Sequence, residues 1–204
     1  MLLAIHPKIP QPRLVQRVVE ELQRGALIVY PTDTVYGLGC DILAKKAIER
    51  IYLVKRLDKS KSLSFLCSDL SHISEYARVS DFAYRVMKHL IPGPYTFVLP
   101  ATRQVPKMLE SKRKTVGIRV PDHPITQAVI RELGRPIVTT SVNPEGSEVM
   151  LNDPVEIEEF FGNQLDLVID AGLGGFVSST ILDLTGPQTV IIRQGKGATD
   201  HLIA

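Results

Sequence analysis

An α/β fold is what this 204-residue sequence predicts, arranged as a single domain over residues 1–204 with a twisted, open, mixed sheet. Three observations carry the prediction. Helix-spaced apolar stretches interleave with short β-branched runs, and neither a repeat nor a linker divides them. A content of 44% hydrophobic and 23% charged residues is ordinary for a globular chain long enough to bury one substantial core.

In chain order, Met1-Leu2-Leu3-Ala4-Ile5 is too short for the apolar core of a signal peptide and has no basic leader. Pro7, Pro10 and Pro12 keep the following residues extended. Leu14, Val15, Val18, Val19 and Leu22 recur at helical spacing over Arg13–Arg24, and Gly25 is the stop. Leu27–Tyr30 reads as a short buried strand halted by Pro31. Lys45–Lys55 is a second helix with Ala47, Ile48, Ile51 and Val54 on one face. Ser62–Cys67 is a strand, Asp69–Ile73 opens a turn and helix, and Asp81 caps a helix running to Leu90. Pro92-Gly93-Pro94 breaks the chain before a strand over Tyr95–Leu99, and Val116–Val120 is another, closed by Pro121. A helix over Ile125–Leu133 ends at Gly134, and a strand over Pro136–Thr140 follows. Then come a short acidic helix over Val155–Phe161 and a strand over Leu165–Ile169. Gly172, Gly174 and Gly175 form a flexible loop ahead of strands Thr180–Leu184 and Thr189–Arg193.

The apolar runs fall far short of the ~20 residues a membrane span requires, so the expected location is the cytoplasm, with no membrane partner. Cys40 and Cys67 are too few for a disulfide framework and lack metal-ligand spacing; both read as buried thiols, and no protein-built metal site is expected. The net charge of +2 says nothing about partners.

Function concentrates at strand ends. The run Leu27-Ile28-Val29-Tyr30-Pro31-Thr32-Asp33-Thr34 passes from a buried strand into three hydrogen-bonding side chains, and Gly37 and Gly39 then permit a tight turn or close approach to a ligand. Open α/β sheets place ligands at such strand ends. Gly117-Ile118-Arg119 sets a guanidinium inside an apolar strand, where it is expected to meet an anion: a ligand, or Asp122 or Asp183. Thr139-Thr140-Ser141-Val142-Asn143, Ser178-Ser179-Thr180 and Ile192-Arg193-Gln194-Gly195 repeat the pattern. Two arginines among hydroxyls and glycines fit carboxylate and phosphate groups. Singly, each has a structural alternative: a salt bridge for Arg119, an edge cover for Arg193, a turn before Pro144 for Ser141 and Asn143. The lysine-rich Lys55–Lys61 and Lys107–Lys114 segments line a phosphate path or a tRNA-facing rim, or are solvated surface.

Six segments in this order resemble the YrdC-like family of threonylcarbamoyl-AMP synthases over nearly the whole chain. They are Pro31-Thr32-Asp33-Thr34-Val35-Tyr36-Gly37-Leu38-Gly39, Pro92-Gly93-Pro94-Tyr95-Thr96, Val116-Gly117-Ile118-Arg119-Val120-Pro121, Thr140-Ser141-Val142-Asn143-Pro144-Glu145-Gly146, Ser179-Thr180-Ile181 and Ile192-Arg193-Gln194-Gly195. Ile5-His6-Pro7 and Lys112-Arg113-Lys114-Thr115 are similar to the YciO branch. The resemblance implies an open sheet lining a concave, electropositive cleft. It also implies a reaction: L-threonine, bicarbonate and ATP, with Mg²⁺, give threonylcarbamoyl-AMP and pyrophosphate, for modification of tRNA by threonylcarbamoyl-transfer proteins. By the same resemblance Thr32 or Thr34 and Thr180 hold threonine's polar groups, and Arg119 takes its carboxylate. Ser141 and Asn143 match an S-x-N element near the phosphates, and Arg193 contacts the nucleotide. The family's K-x-R element falls on Leu53-Val54-Lys55, so either Lys55 and Arg56 serve catalysis and nucleotide binding from a shifted position or phosphate binding is weaker. The alternative function is a YciO-type protein that binds nucleotide, tRNA or double-stranded RNA without efficient synthase activity.

Overall fold

Ten strands pair into one mixed sheet in the computed structural model, which describes residues 1–58, 60–109, 111, 113–144, 146 and 149–202. Lys59, Lys112 and Glu145, named in the segments above, lie outside the described residues. The strands are β1 (Leu2–Ala4), β2 (Ile28–Tyr30), β3 (Gly37–Asp41), β4 (Ser64–Leu66), β5 (Tyr95–Pro100), β6 (Thr115–Arg119), β7 (Ile137–Ser141), β8 (Leu167–Asp170), β9 (Thr180–Asp183) and β10 (Val190–Arg193). The helices are α1 (Pro12–Gln23), α2 (Lys45–Val54), α3 (Leu70–Tyr76), α4 (Asp81–Met87), α5 (Pro124–Leu133) and α6 (Pro154–Phe161). Across the sheet the order is β1-β8-β2-β3-β7-β4-β6-β5-β9-β10. The pairs β1–β8, β8–β2, β4–β6 and β5–β9 are parallel, and the other neighbours are antiparallel.

Two strands depart from the sequence reading. Gly37 and Gly39 belong to β3, not to a turn, and neighbouring groups occupy the space their side chains would take. A Cβ on Gly39 would sit 2.3 Å from the Val138 carbonyl of β7, and one on Gly37 2.6 Å from the Tyr30 ring. Residues 2–4 form β1, held by parallel pairing to β8. The capping of α4 also differs. Ser80 accepts from the Ala83 N–H, and Asp81 is the first helical residue.

Alternation along the strands separates two apolar layers. On one side Val29, Leu38, Cys40, Phe65, Phe97 and Ile118 join residues of α2, α3, α4 and α6. On the other, Ile28, Tyr30, Leu66, Ile137, Leu167 and Ile169 meet α1 and α5. The second layer stops at Leu66. Farther along that face the side chains are Arg119, Thr96 and Ile181, so the sheet from β4 to β9 is left open to a ligand rather than to a helix. Cys40 and Cys67 are both buried and unbridged.

Candidate functional site

Beyond the part of the sheet that α1 and α5 cover, a hollow of about 450 Å³ opens. Thr32, Thr34, Lys55, Arg119, Ser141, Asn143 and Arg193, drawn from segments far apart in the chain, all line it. Arg119 is the most constrained of them. Its Nη2 donates to Asp33 Oδ1 at 2.5 Å, its Nη1 to Thr34 Oγ1 at 2.7 Å and its Nε to the Gly93 carbonyl at 3.2 Å. The side chain is 8% exposed and that of Asp33 13%. Asp33, rather than Asp122 or Asp183, is therefore the counter-ion; the Asp122 N–H also donates to Asp33 Oδ1, at 3.0 Å. Three of the five guanidinium N–H groups are thus engaged, leaving two for a carboxylate. The Gly93 carbonyl reaches Arg119 because the Gly93 N–H in turn donates to Val120.

The segment after β2 folds upon itself. Thr32 Oγ1 lies 2.7 Å from the Val35 carbonyl, to which it donates, accepts from the Thr34 N–H at 3.0 Å and shares a hydrogen bond with Thr34 Oγ1. The glycine loop packs tightly against this segment. The Tyr36 hydroxyl donates to the Gly172 carbonyl at 2.7 Å and accepts from the Ala171 N–H, and burial pushes it up to about 12. A Cβ on Gly175 would fall 2.2 Å from the Thr34 carbonyl, so only glycine fits there. The loop is tethered by these contacts.

Lys55, at the end of α2, is buried and donates to the carbonyls of Val142 (3.3 Å) and Asn143, fixing the loop that follows Ser141. Asn143 Oδ1 accepts from the Leu151 N–H at 2.8 Å. Arg193 Nη2 donates to the Ser179 carbonyl at 2.8 Å. Two other expected residues do not reach the hollow. Arg56 has φ 50, is exposed and does not line it. Thr180 is fully buried, its hydroxyl donating to Gly197 and accepting from the Gly195 N–H, because strand alternation sends it to the opposite side from Ser179 and Ile181. Beside Thr180, the hydroxyls of Ser179 and Thr96, paired at 2.8 Å, face the hollow instead. Thr139 and Lys61, both within the polar segments named above, line it as well, as does Ser64, which no sequence pattern marks; in Ser178-Ser179-Thr180 only the register distinguishes the hydroxyls that face the hollow from the one that does not.

Among the described residues, no group of three or more His, Cys, Asp or Glu is placed to hold a metal ion, and no carboxylate lines the hollow. No described helix is long and apolar enough to cross a membrane. The arrangement suits an amino-acid carboxylate at Arg119 and phosphate oxygens near Ser141, Asn143 and Lys55, through positioning and charge.

The chain is similar to proteins that share this architecture. It is 44% identical over 194 residues to the uncharacterized protein YciO of Escherichia coli (strain K12), covering 95% of this chain and 94% of that one. The crystal structure of E. coli YciO superposes with a TM-score of 0.95 at 42% identity, covering 100% of this chain and 99% of that one. Threonylcarbamoyl-AMP synthase of Vibrio vulnificus (strain YJ016) is 31% identical, over 88% of this chain and 97% of its own. A crystal structure of P. abyssi Sua5 complexed with L-threonine matches at TM-score 0.88 and 28% identity, over 96% of this chain and 57% of that one. The Sua5/yciO/yrdC family model, described as telomere recombination, matches residues 20–195. This chain therefore belongs to the Sua5/YciO/YrdC family.

Proposed function

We propose that the protein is an L-threonylcarbamoyladenylate synthase, converting L-threonine, bicarbonate and ATP into threonylcarbamoyl-AMP, pyrophosphate and water. The observation that carries this reading is the convergence of Thr32, Thr34, Arg119, Ser141, Asn143 and Arg193 on one hollow, with Arg119 already oriented by Asp33. The likeness to a synthase and to a structure complexed with L-threonine supports the choice of substrate.

In this reading the two unengaged N–H groups of Arg119 take threonine's carboxylate, the hydroxyls of the Thr96–Ser179 pair hold its amine and side chain, and Thr32, whose hydroxyl is fully engaged, orients Thr34 beside Arg119. The neutral amine attacks carbon dioxide derived from bicarbonate and loses a proton to solvent, giving a carbamate. A carbamate oxygen then attacks the α-phosphorus of ATP, and pyrophosphate leaves. No protein nucleophile is needed. Catalysis is orientation plus stabilisation of charge on the phosphoryl oxygens by Lys55, Ser141, Asn143 and Arg193. Mg²⁺ would be held mainly by the phosphates of ATP, where it would offset their charge, since no carboxylate among the described residues lines the hollow. The product would feed threonylcarbamoylation of tRNA through separate transfer proteins.

Purified protein is expected to release pyrophosphate from ATP only when threonine and bicarbonate are both present. Release independent of threonine, or none at millimolar threonine, would overturn the reading. Arg56 lying outside the hollow favours a second one, a protein that binds nucleotide or RNA without turnover. It predicts ATP binding unaccompanied by pyrophosphate.

A further inference from the structure

Residues 172–177 do not line the hollow, yet they bridge its two ends. At the amino-acid end, Arg119 Nη1 donates to Thr34 Oγ1 at 2.7 Å. The Thr34 carbonyl in turn lies so near Gly175 that a Cβ there would stand 2.2 Å from it. At the phosphate end, Asn143 Oδ1 accepts from the Leu151 N–H at 2.8 Å. The next residue, Asn152, accepts from the Gly174 N–H through its carbonyl at 2.7 Å and donates from Nδ2 to the Gly174 carbonyl at 3.4 Å. Adjacent glycines therefore meet one group from each end, Gly174 at Asn152 and Gly175 at Thr34. The loop is pinned on both sides of them, by the Tyr36 hydroxyl on the Gly172 carbonyl (2.7 Å) and by the Lys196 N–H on the Ser178 carbonyl (2.8 Å).

Burial of apolar surface does little to hold this loop, because Leu173, Phe176 and Val177 are all exposed. Polar contacts and close backbone approach set its position instead. A segment held in this way opens at low cost. Moving Gly174 and Gly175 outward would release Asn152, next to the residue that bonds Asn143, and Thr34, which bonds Arg119, in one step. We infer that residues 172–178 are a strap that couples the two ends of the hollow, with Asn152 the positioning residue that joins the strap to the phosphate end. A ligand at either end fixes the strap and spares the other ligand the cost of ordering it, so each tightens the other by the same factor. This rests on the reading that the hollow takes threonine and ATP together, and adds that it takes them cooperatively.

Equilibrium binding of L-threonine and of a non-hydrolysable ATP analogue to the full chain, each alone and with the other at saturation, tests the inference. The proteins are wild type, Asn152→Ala, Gly175→Ala and Gly186→Ala. Asn152→Ala removes the Nδ2 donor without touching the lining of the hollow, and Gly175→Ala forces the loop off the Thr34 carbonyl. Gly186, with open space around it, is the control. In wild type and Gly186→Ala each ligand should tighten the other by at least about fivefold, equally in both directions. In Asn152→Ala and Gly175→Ala that factor should fall below about twofold, with the single-ligand affinities of Asn152→Ala within about threefold of wild type. Should Gly175→Ala not fold, Asn152→Ala alone decides. Independent binding in wild type, or the wild-type factor kept in either strap variant, would overturn the strap and leave the proposed reaction standing. Uniformly weaker binding with the factor intact would do the same, showing a structural role only. A wild-type protein that binds neither ligand would overturn the reaction and the strap together.

Discussion

Removing either member of the Arg119–Asp33 pair is expected to destabilise the fold strongly, and removing both to destabilise it by less than the sum. The two side chains are almost fully covered and in contact at 2.5 Å. Taking away one leaves the other as a buried charge without a counter-ion, a loss of about 3–5 kcal/mol. In Asp33→Asn the amide nitrogen has one place to go, the position of Oδ2, since Oδ1 already accepts from Arg119 and from the Asp122 N–H. Oδ2 is buried with no hydrogen-bond partner among the described residues, so the new donor is stranded too. With a urea dependence of about 2 kcal/mol per molar, each of Asp33→Asn and Arg119→Leu should lower the unfolding midpoint by roughly 1.5–2.5 M. The double variant should fall short of the sum by about 2–3 kcal/mol, because no uncompensated charge remains. Urea titrations of the four proteins, followed by circular dichroism, provide the cycle. Midpoints within about 0.3 M of wild type for both single variants, or an additive double variant, would refute the claim that this pair holds the guanidinium in place.

Other outcomes follow from neighbouring contacts. Lys55→Met removes the donor to the Val142 and Asn143 carbonyls and should weaken ATP binding at least tenfold, with faster amide exchange confined to residues 141–144 in mass-spectrometric labelling. Gly39→Ala drives a Cβ into the Val138 carbonyl and should cost several kcal/mol, about 3 or more, whereas Gly186→Ala, with nothing within 4 Å, should change thermal stability by less than about 0.5 kcal/mol. Burial pushes the Cys40 thiol up from 9.0 to about 12 and the Tyr36 phenol from 10.0 to about 12. Both folded-state values are raised, so the unfolded chain releases its protons first, and their contribution is whole below pH 9 and lost as pH climbs to 12. Melting temperatures should therefore fall over that window, and less steeply in Cys40→Ala; a flat alkaline profile would contradict the assignment.

Much of this architecture is legible in the amino-acid order, and the exceptions have physical causes. The α1 face of Val15, Val18, Val19 and Leu22 is buried as its spacing requires, and Gly134 ends α5 in a left-handed turn at φ 69. β3 is hidden because Gly37 and Gly39 look like turn residues; they are glycine because β7 and Tyr30 press close to the backbone, which no local pattern reveals. The position of Arg119 in a strand signals an anion, but its partner lies 86 residues away and becomes identifiable only once β2 and β6 share a sheet. Arg56 is carried outward by a single left-handed residue beyond the α2 cap. Thr180 and Ser179 exchange roles through strand parity alone, and a shift of one position reverses which hydroxyl a ligand would meet.

One hollow is expected to serve an amino acid and a nucleotide together. A crystal structure of the protein with L-threonine and a non-hydrolysable ATP analogue tests that directly. The threonine carboxylate should lie within hydrogen-bonding distance of Arg119 and the phosphates beside Ser141 and Asn143. Either ligand bound on another surface, or the two excluding each other, would contradict it.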